Sequence, residues 1–368
     1  MEFGIWNLVL GISLKMATPS EKKNKSLHPN LKKLLAQKQR QQLSADTFVE
    51  AILNGNRVLL GQAITIIEST KKQDQELANQ IIEQCLPHAN RSIRIGITGA
   101  PGVGKSTFVE SFGGYLLNQQ KKLAVLAVDP SSQVSGGSIL GDKTRMEQLS
   151  SHAHTFIRPS PSGDSLGGVA RKTREAMILC EAAGYDTILV ETVGVGQSEF
   201  MVHSMVDCFL LLLLPGAGDE LQGIKRGIVE MADLVLINKA DGERVKLAER
   251  TKKDYRNALH LFPPKQSNWA PKAIICSALE EKGMKTIWES IEAYFKLVQS
   301  NNFFQQNRTQ QTKYWLTSSI QQGLQDAFFK NEAMSAEWKK VEKAVLENQQ
   351  SPFKGAAELL ASFMKLRE

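Results

Sequence analysis

This 368-residue chain predicts a three-layer α/β fold, a mostly parallel sheet with helices on both faces. Apolar runs of strand length recur at 93–97, 125–128, 187–190, 209–214, 234–237 and 273–275, most without the polar alternation of a half-exposed strand. Helix-length stretches, 166–183 and 244–261 among them, alternate with these runs, as parallel βαβ units require. With 42% hydrophobic residues, the chain can bury an α/β core of about 200 residues and still carry helical additions.

Taken in order, residues 1–45 read as a basic tail expected to be disordered. Lys15, Lys22, Lys23, Lys25, Lys32, Lys33, Lys38 and Arg40 stand there against Glu2 and Glu21, so nearly all of the +7 net charge lies in the tail. The rest of the chain is close to neutral, which argues against a nucleic-acid partner. No run of 18 apolar residues is present, so no membrane span is expected, and the apolar opening at 3–12 lacks the flanks of a signal peptide. Cytoplasm is the expected location. A mitochondrial presequence is the alternative, since acids are scarce before Asp46, although Arg is nearly absent there.

Residues 46–90 read as two amphipathic helices, with Phe48, Ile52 and Leu53, then Leu60, Ala63, Ile64, Ile66 and Ile67, then Leu77, Ile81 and Ile82 at helical spacing. The α/β domain follows over 91–298. From 299 to 368 the composition turns Gln- and Asn-rich, with helical patterns at 314–329, 338–346 and 356–366. Such helices cannot build much core alone and must bury apolar faces on the α/β domain or on a second subunit.

The most specific signal is Gly99-Ala100-Pro101-Gly102-Val103-Gly104-Lys105-Ser106, continued by Thr107, between a strand and a helix. Glycines let successive backbone N–H groups curl round phosphate oxygens, a lysine reaches the terminal phosphates, and a Ser hydroxyl serves Mg²⁺. The pattern predicts a P-loop NTPase. Asn238-Lys239-Ala240-Asp241 follows the buried run 234–237, at the strand end where open α/β sheets bind ligands. A carboxylate there accepts from the N1–H and exocyclic amine of guanine, donors that adenine lacks at those positions. Cys276-Ser277-Ala278-Leu279, after 273–275, supplies backbone N–H groups for the guanine carbonyl. Asn238, Lys239, Asp241, Ser277, Ala278 and Leu279 are therefore the candidate base-site residues.

Ser106 with one or two of Asp129, Asp142 and Glu191 would suffice for Mg²⁺, a hard cation that keeps several waters when it bridges phosphates. Asp129 and Glu191 each end a strand-like run, and Asp142 lies in Gly141-Asp142-Lys143-Thr144-Arg145. Gly194 could donate its N–H to the γ-phosphate, and the run Gly194-Val195-Gly196-Gln197 could make and lose that contact as a switch. Lys105, Asp129, Asp142 and Glu191 are the candidate catalytic groups, acting through position and charge with no protein nucleophile.

These segments, with 136–146, Arg158-Pro159-Ser160-Pro161, 166–170, 191–199 and 215–225, resemble the MeaB/ArgK/MMAA family of GTPases over roughly residues 43–300. The resemblance implies a GTP-hydrolysing chaperone that gates adenosylcobalamin loading of methylmalonyl-CoA mutase, or a close acyl-CoA mutase, and protects the holoenzyme. It implies a third switch at 215–225, giving Asp219, Gln222 and Lys225 a relay role between nucleotide and mutase. It also implies that 299–368 is a dimerisation arm and that the chain is a homodimer. Mg²⁺ and GTP or GDP are the expected ligands, with no tightly bound organic cofactor.

Two other classes stay open at this point: a metal-delivery GTPase of the nickel-metallochaperone type and a transport-system-associated kinase. Cys85, Cys180, Cys208 and Cys276 show no C-x-x-C, and the six histidines show no metal-ligand spacing. The cysteines read as buried reduced thiols.

Overall fold

The computed structural model describes residues 43–128, 146–159, 166–192, 198–216 and 226–366. Seven parallel strands form one sheet: β1 Ile93–Gly99, β2 Leu123–Val128, β3 Thr155–Arg158, β4 Thr187–Thr192, β5 Cys208–Leu213, β6 Leu234–Ile237 and β7 Lys272–Ile275. Their order is β3-β2-β4-β1-β5-β6-β7, which puts β1 at the centre between β4 and β5. β2, β5 and β6 are buried along their whole length, so their side chains are apolar on both faces and the sequence reads as continuous runs, while β4 is equally buried but also carries Thr187, Glu191 and Thr192. Because all seven strands run the same way, their carboxyl ends share one edge, and the predicted motifs follow strands that end there.

Helices α1 Ala45–Leu53, α2 Arg57–Glu68 and α3 Lys72–Cys85 precede the sheet. The expectation of two helices here is corrected to three. The chain turns at Gly55, whose φ of +74° suits glycine, and Asn56 then caps α2 by accepting from the N–H groups of Val58 and Leu59. A second break lies at Ser69, whose hydroxyl donates to Asp74. Apolar spacing continues across both breaks, which is why the pattern alone merges the helices. All three pack on α6, Leu166–Ala182.

The other helices on the sheet are α4 Lys105–Asn118, α5 Glu147–Ser151, α7 Ser198–His203, α8 Arg226–Met231, α9 Val245–Leu259 and α10 Met284–Ser300. The main core joins Ile95 and Ile97 of β1 to Phe108, Phe112 and Leu116 of α4 and to Ile287, Trp288 and Ile291 of α10. The cysteines are all free and buried as expected. Burial pushes the Cys85 thiol up to about 11 and the Cys276 thiol up to about 12, so neither is a thiolate near neutral pH.

The carboxyl-terminal region is helical: α11 Phe303–Phe329, α12 Glu332–Leu346 and α13 Pro352–Lys365. α11 starts a full three turns before the predicted 314–329, after Asn302 at φ +62°, a left-handed position that Asn tolerates. Arg308 fastens α11 to the sheet. Its guanidinium donates to both carboxylate oxygens of Asp207, at 2.9 and 2.7 Å, and to the carbonyls of Asn90 and Ser92. Both ions are buried, and two further guanidinium bonds go to backbone carbonyls, the kind of added hydrogen bonding that lets such a pair be tolerated. Farther out, Phe328, Met334, Leu359 and Phe363 form a small core of their own.

Candidate functional site

β1 delivers the glycine-rich turn to the centre of the carboxyl edge. A Cβ on Gly99 would stand 2.5 Å from the carbonyl oxygen of Leu212 on neighbouring β5, so only glycine lets the turn leave the sheet here. Gly104 sits at φ +93°, and a Cβ there would meet Asn238 Nδ2 at 2.9 Å. Val103 between them is fully buried and pins the turn to the core. α4 then starts at Lys105 with no side-chain cap, which leaves its first N–H groups and positive dipole end for an anion.

Lys105 Nζ donates to the carbonyls of Gly99 at 2.7 Å and Ala100 at 3.3 Å, folding back over the turn. Burial pushes its ammonium below the usual lysine range, opposed by the charges of Glu191 and Glu199. Ser106 Oγ donates to Glu191 Oε1 at 3.1 Å. Glu191, at the end of β4, is only 4% exposed, so this carboxylate and hydroxyl make a shielded pair of hard oxygen donors beside the lysine. Thr107 stands on the first turn of α4 with its side chain exposed, as do Pro101 and Gly102 on the loop.

The second half of the site follows β6 and β7. Asn238 is buried and spends both ends of its amide: Nδ2 donates to Val103 O at 2.9 Å, and Oδ1 accepts from the Ala278 N–H at 3.0 Å. One side chain therefore ties the phosphate turn to the loop after β7. Asp241 Oδ2 accepts from Ser277 Oγ at 3.0 Å, and Ser277 Oγ in turn accepts from the Glu280 N–H. Lys239 is held at φ +59°, and its stem lies beside Gly104. Leu279 projects a largely exposed side chain, so its contribution to the site is its backbone.

The structure thus brings together Gly99 to Thr107, Glu191, Asn238, Lys239, Asp241 and 277–279. Asp129 and Asp142, and the switch residues Gly194, Gln197, Asp219, Gln222 and Lys225, lie outside the described residues. Among the described residues no group of three or more His, Cys, Asp or Glu side chains is placed to hold a metal by itself.

A family model described as methylmalonyl Co-A mutase-associated GTPase MeaB matches residues 60–333. The chain belongs to this family. A putative GTPase of Caulobacter vibrioides is 49% identical over 87% of this chain and 98% of its own length. The mouse methylmalonic aciduria type A homolog, mitochondrial, is 43% identical over 88% of this chain and 80% of its own length. The crystal structure of an LAO/AO transport system kinase superposes with a TM-score of 0.70 at 37% identity, covering 88% of this chain and 99% of that one. MeaB proteins are a GTPase family, and membership implies GTP or GDP as ligand.

Within this MeaB-family site, two features escaped sequence reasoning. Thr98 Oγ1 and Thr192 Oγ1 lie 2.9 Å apart in the buried layer between β1 and β4, joining the start of the phosphate turn to the strand that carries Glu191. Glu199 at the start of α7 is 1% exposed and contributes its charge to Lys105. The threonines gave no signal, because isolated Thr residues in strands are ordinary. Glu199 lies eight positions past Glu191, and no pattern in the sequence marks it as buried with its charge acting on Lys105.

Proposed function

We propose that this chain hydrolyses GTP to GDP and phosphate and that its nucleotide state controls adenosylcobalamin loading and protection of methylmalonyl-CoA mutase or a close acyl-CoA mutase. What carries the reading is Asn238, which couples the base cup to the phosphate turn inside the very segment, 60–333, that matches a mutase-associated GTPase family. Such a coupling means that a guanine seated against Asp241 and a phosphate seated against Lys105 report on each other.

Asp241 takes the N1–H and amine of guanine. The Ala278 N–H is spent on Asn238 and the Glu280 N–H on Ser277, so the Leu279 N–H is the donor for the base carbonyl. Lys105, freed from its two carbonyls by an arriving phosphate, neutralises the β- and γ-phosphates, and the first N–H groups of α4 hold their oxygens. Ser106 and Glu191 fit Mg²⁺ by donor chemistry, with Asp129 and Asp142 as further acids; the ion supplies charge neutralisation at the phosphates. Gly194 and Gln197 are assigned to the γ-phosphate switch, and Asp219, Gln222 and Lys225 to the relay toward the mutase. Steady-state GTP turnover with and without a purified adenosylcobalamin-dependent acyl-CoA mutase tests this. Stimulation of at least about tenfold, equal to ~1.4 kcal/mol of barrier, is expected; unchanged turnover with both proteins active would overturn the mutase assignment.

We infer also that the chain is a homodimer through 299–368. Leu316, Ile320 and Leu324 recur every fourth residue on α11 and are 65%, 54% and 56% exposed, an apolar stripe that one chain leaves in water. A native mass of twice the chain at micromolar concentration is expected, and a monomeric mass would contradict it. No helix among the described residues is long and apolar enough to cross a membrane, and cytoplasm is the proposed location.

A further inference from the structure

Two hydrogen bonds bracket the phosphate turn. Before it, the hydroxyls of Thr98 and Thr192 meet at 2.9 Å, and both residues are buried, at 1% and 0% exposure. After it, Ser106 donates to Glu191 at 3.1 Å. The two flanks of the turn are thus tied to consecutive residues of β4. Side chains alternate across a sheet: Ile97 faces α4, in one core with Phe108 and Phe112, so Thr98 and its partner Thr192 lie on the other face, while Glu191 meets Ser106 on the α4 side. Among the described residues β1 pairs with β4 only as far as Ile97 and Glu191, although β1 continues against β5 to Gly99 and β4 continues against β2 to Thr192. The two strands part where the turn begins, and the hydroxyl pair spans the gap.

We propose that Thr98 and Thr192 are positioning residues that hold the Glu191 carboxylate where it and Ser106 can serve Mg²⁺. This rests on the GTPase reading and on those two groups as donors to the ion. In the ligand-free chain Ser106 and Glu191 bond to each other. Once both turn to a cation that bond is given up, and the hydroxyl pair remains as a side-chain tie between the parted strand ends. The threonines stand on the opposite face from the donors, so they act through Glu191 and not as ligands. Their contribution is to fix the end of β4 in advance, which cuts the ordering that ion binding would otherwise require.

The test is titration of the full chain with a non-hydrolysable GTP analogue, once in Mg²⁺ and once in EDTA, on the parent, Thr98→Val, Thr192→Val and Thr192→Ser. Mg²⁺ should tighten the analogue on the parent chain. Each valine variant is expected to lose about tenfold of that gain, the scale on which partners of a metal ligand act, while its affinity in EDTA stays within about twofold of the parent. Thr192→Ser keeps the hydroxyl and should keep the gain. A single valine leaves the other buried hydroxyl unmatched; should that prevent folding, the double variant Thr98→Val with Thr192→Val removes both and is expected to show the same loss. Valine variants that keep the Mg²⁺ gain, or that lose affinity equally in Mg²⁺ and EDTA, would overturn the positioning role and leave the GTPase reading standing. A parent chain that does not bind the analogue, or binds it without any Mg²⁺ gain, would overturn the nucleotide or magnesium reading and this inference with it.

Discussion

Replacing Lys105 with alanine is expected to lower GTP turnover by about 10²–10³-fold, the loss that follows removal of one preorganised charge at a developing oxyanion, ~2.7–4 kcal/mol. The surroundings make the loss one-sided. The buried acids Glu191 and Glu199 act on the Lys105 charge, and alanine removes that positive charge from beside two carboxylates where phosphates would arrive. Its bonds to Gly99 O and Ala100 O also vanish, so the phosphate turn loses the strap that holds it in the ligand-free state. Turnover and nucleotide affinity, measured together with a thermal melt, separate the catalytic loss from any loss of fold. Turnover within tenfold of the parent chain would show that the active centre lies elsewhere.

Asp241→Asn is expected to weaken GTP by about 10²-fold, because two hydrogen bonds to a charged acceptor, ~1.5–3 kcal/mol each, are lost or reversed. An asparagine presents an amide donor toward the guanine amine, a donor–donor clash, whereas xanthine carries a carbonyl at that position. Affinity for xanthosine triphosphate should therefore rise as GTP affinity falls, while ATP gains nothing. The Ser277 hydroxyl still finds an amide oxygen at position 241, so the cup itself survives. Competition of all three nucleotides against a fluorescent GDP analogue reads the exchange. Undiminished GTP affinity would remove Asp241 from the base site.

Much of this site was legible because its chemistry is local. Gly99 to Ser106 carries its own glycines, lysine and hydroxyl in eight consecutive residues, and buried parallel strands advertise themselves as unbroken runs such as 209–214. Contacts between distant segments were not legible. Nothing at Arg308 announces that it grips Asp207 across 101 residues, since an arginine in a Gln-rich helix reads as solvated. Asn238 reads as a nucleotide-site residue, and its amide also joins Val103 to Ala278, a role visible only once β1 and β6 are placed in one sheet. The amino-terminal helices merged into two because Gly55 and Ser69 interrupt the chain without interrupting its apolar rhythm.

A switch protein must bind its partner differently in its two nucleotide states, since a partner with equal affinity for both shifts nothing. The affinity of this chain for an adenosylcobalamin-dependent acyl-CoA mutase should therefore be measured twice, with a non-hydrolysable GTP analogue and with GDP. At least a tenfold difference, ~1.4 kcal/mol of coupling, is the result expected. Equal affinity in the two states, or no binding in either, would contradict a nucleotide switch read by the mutase.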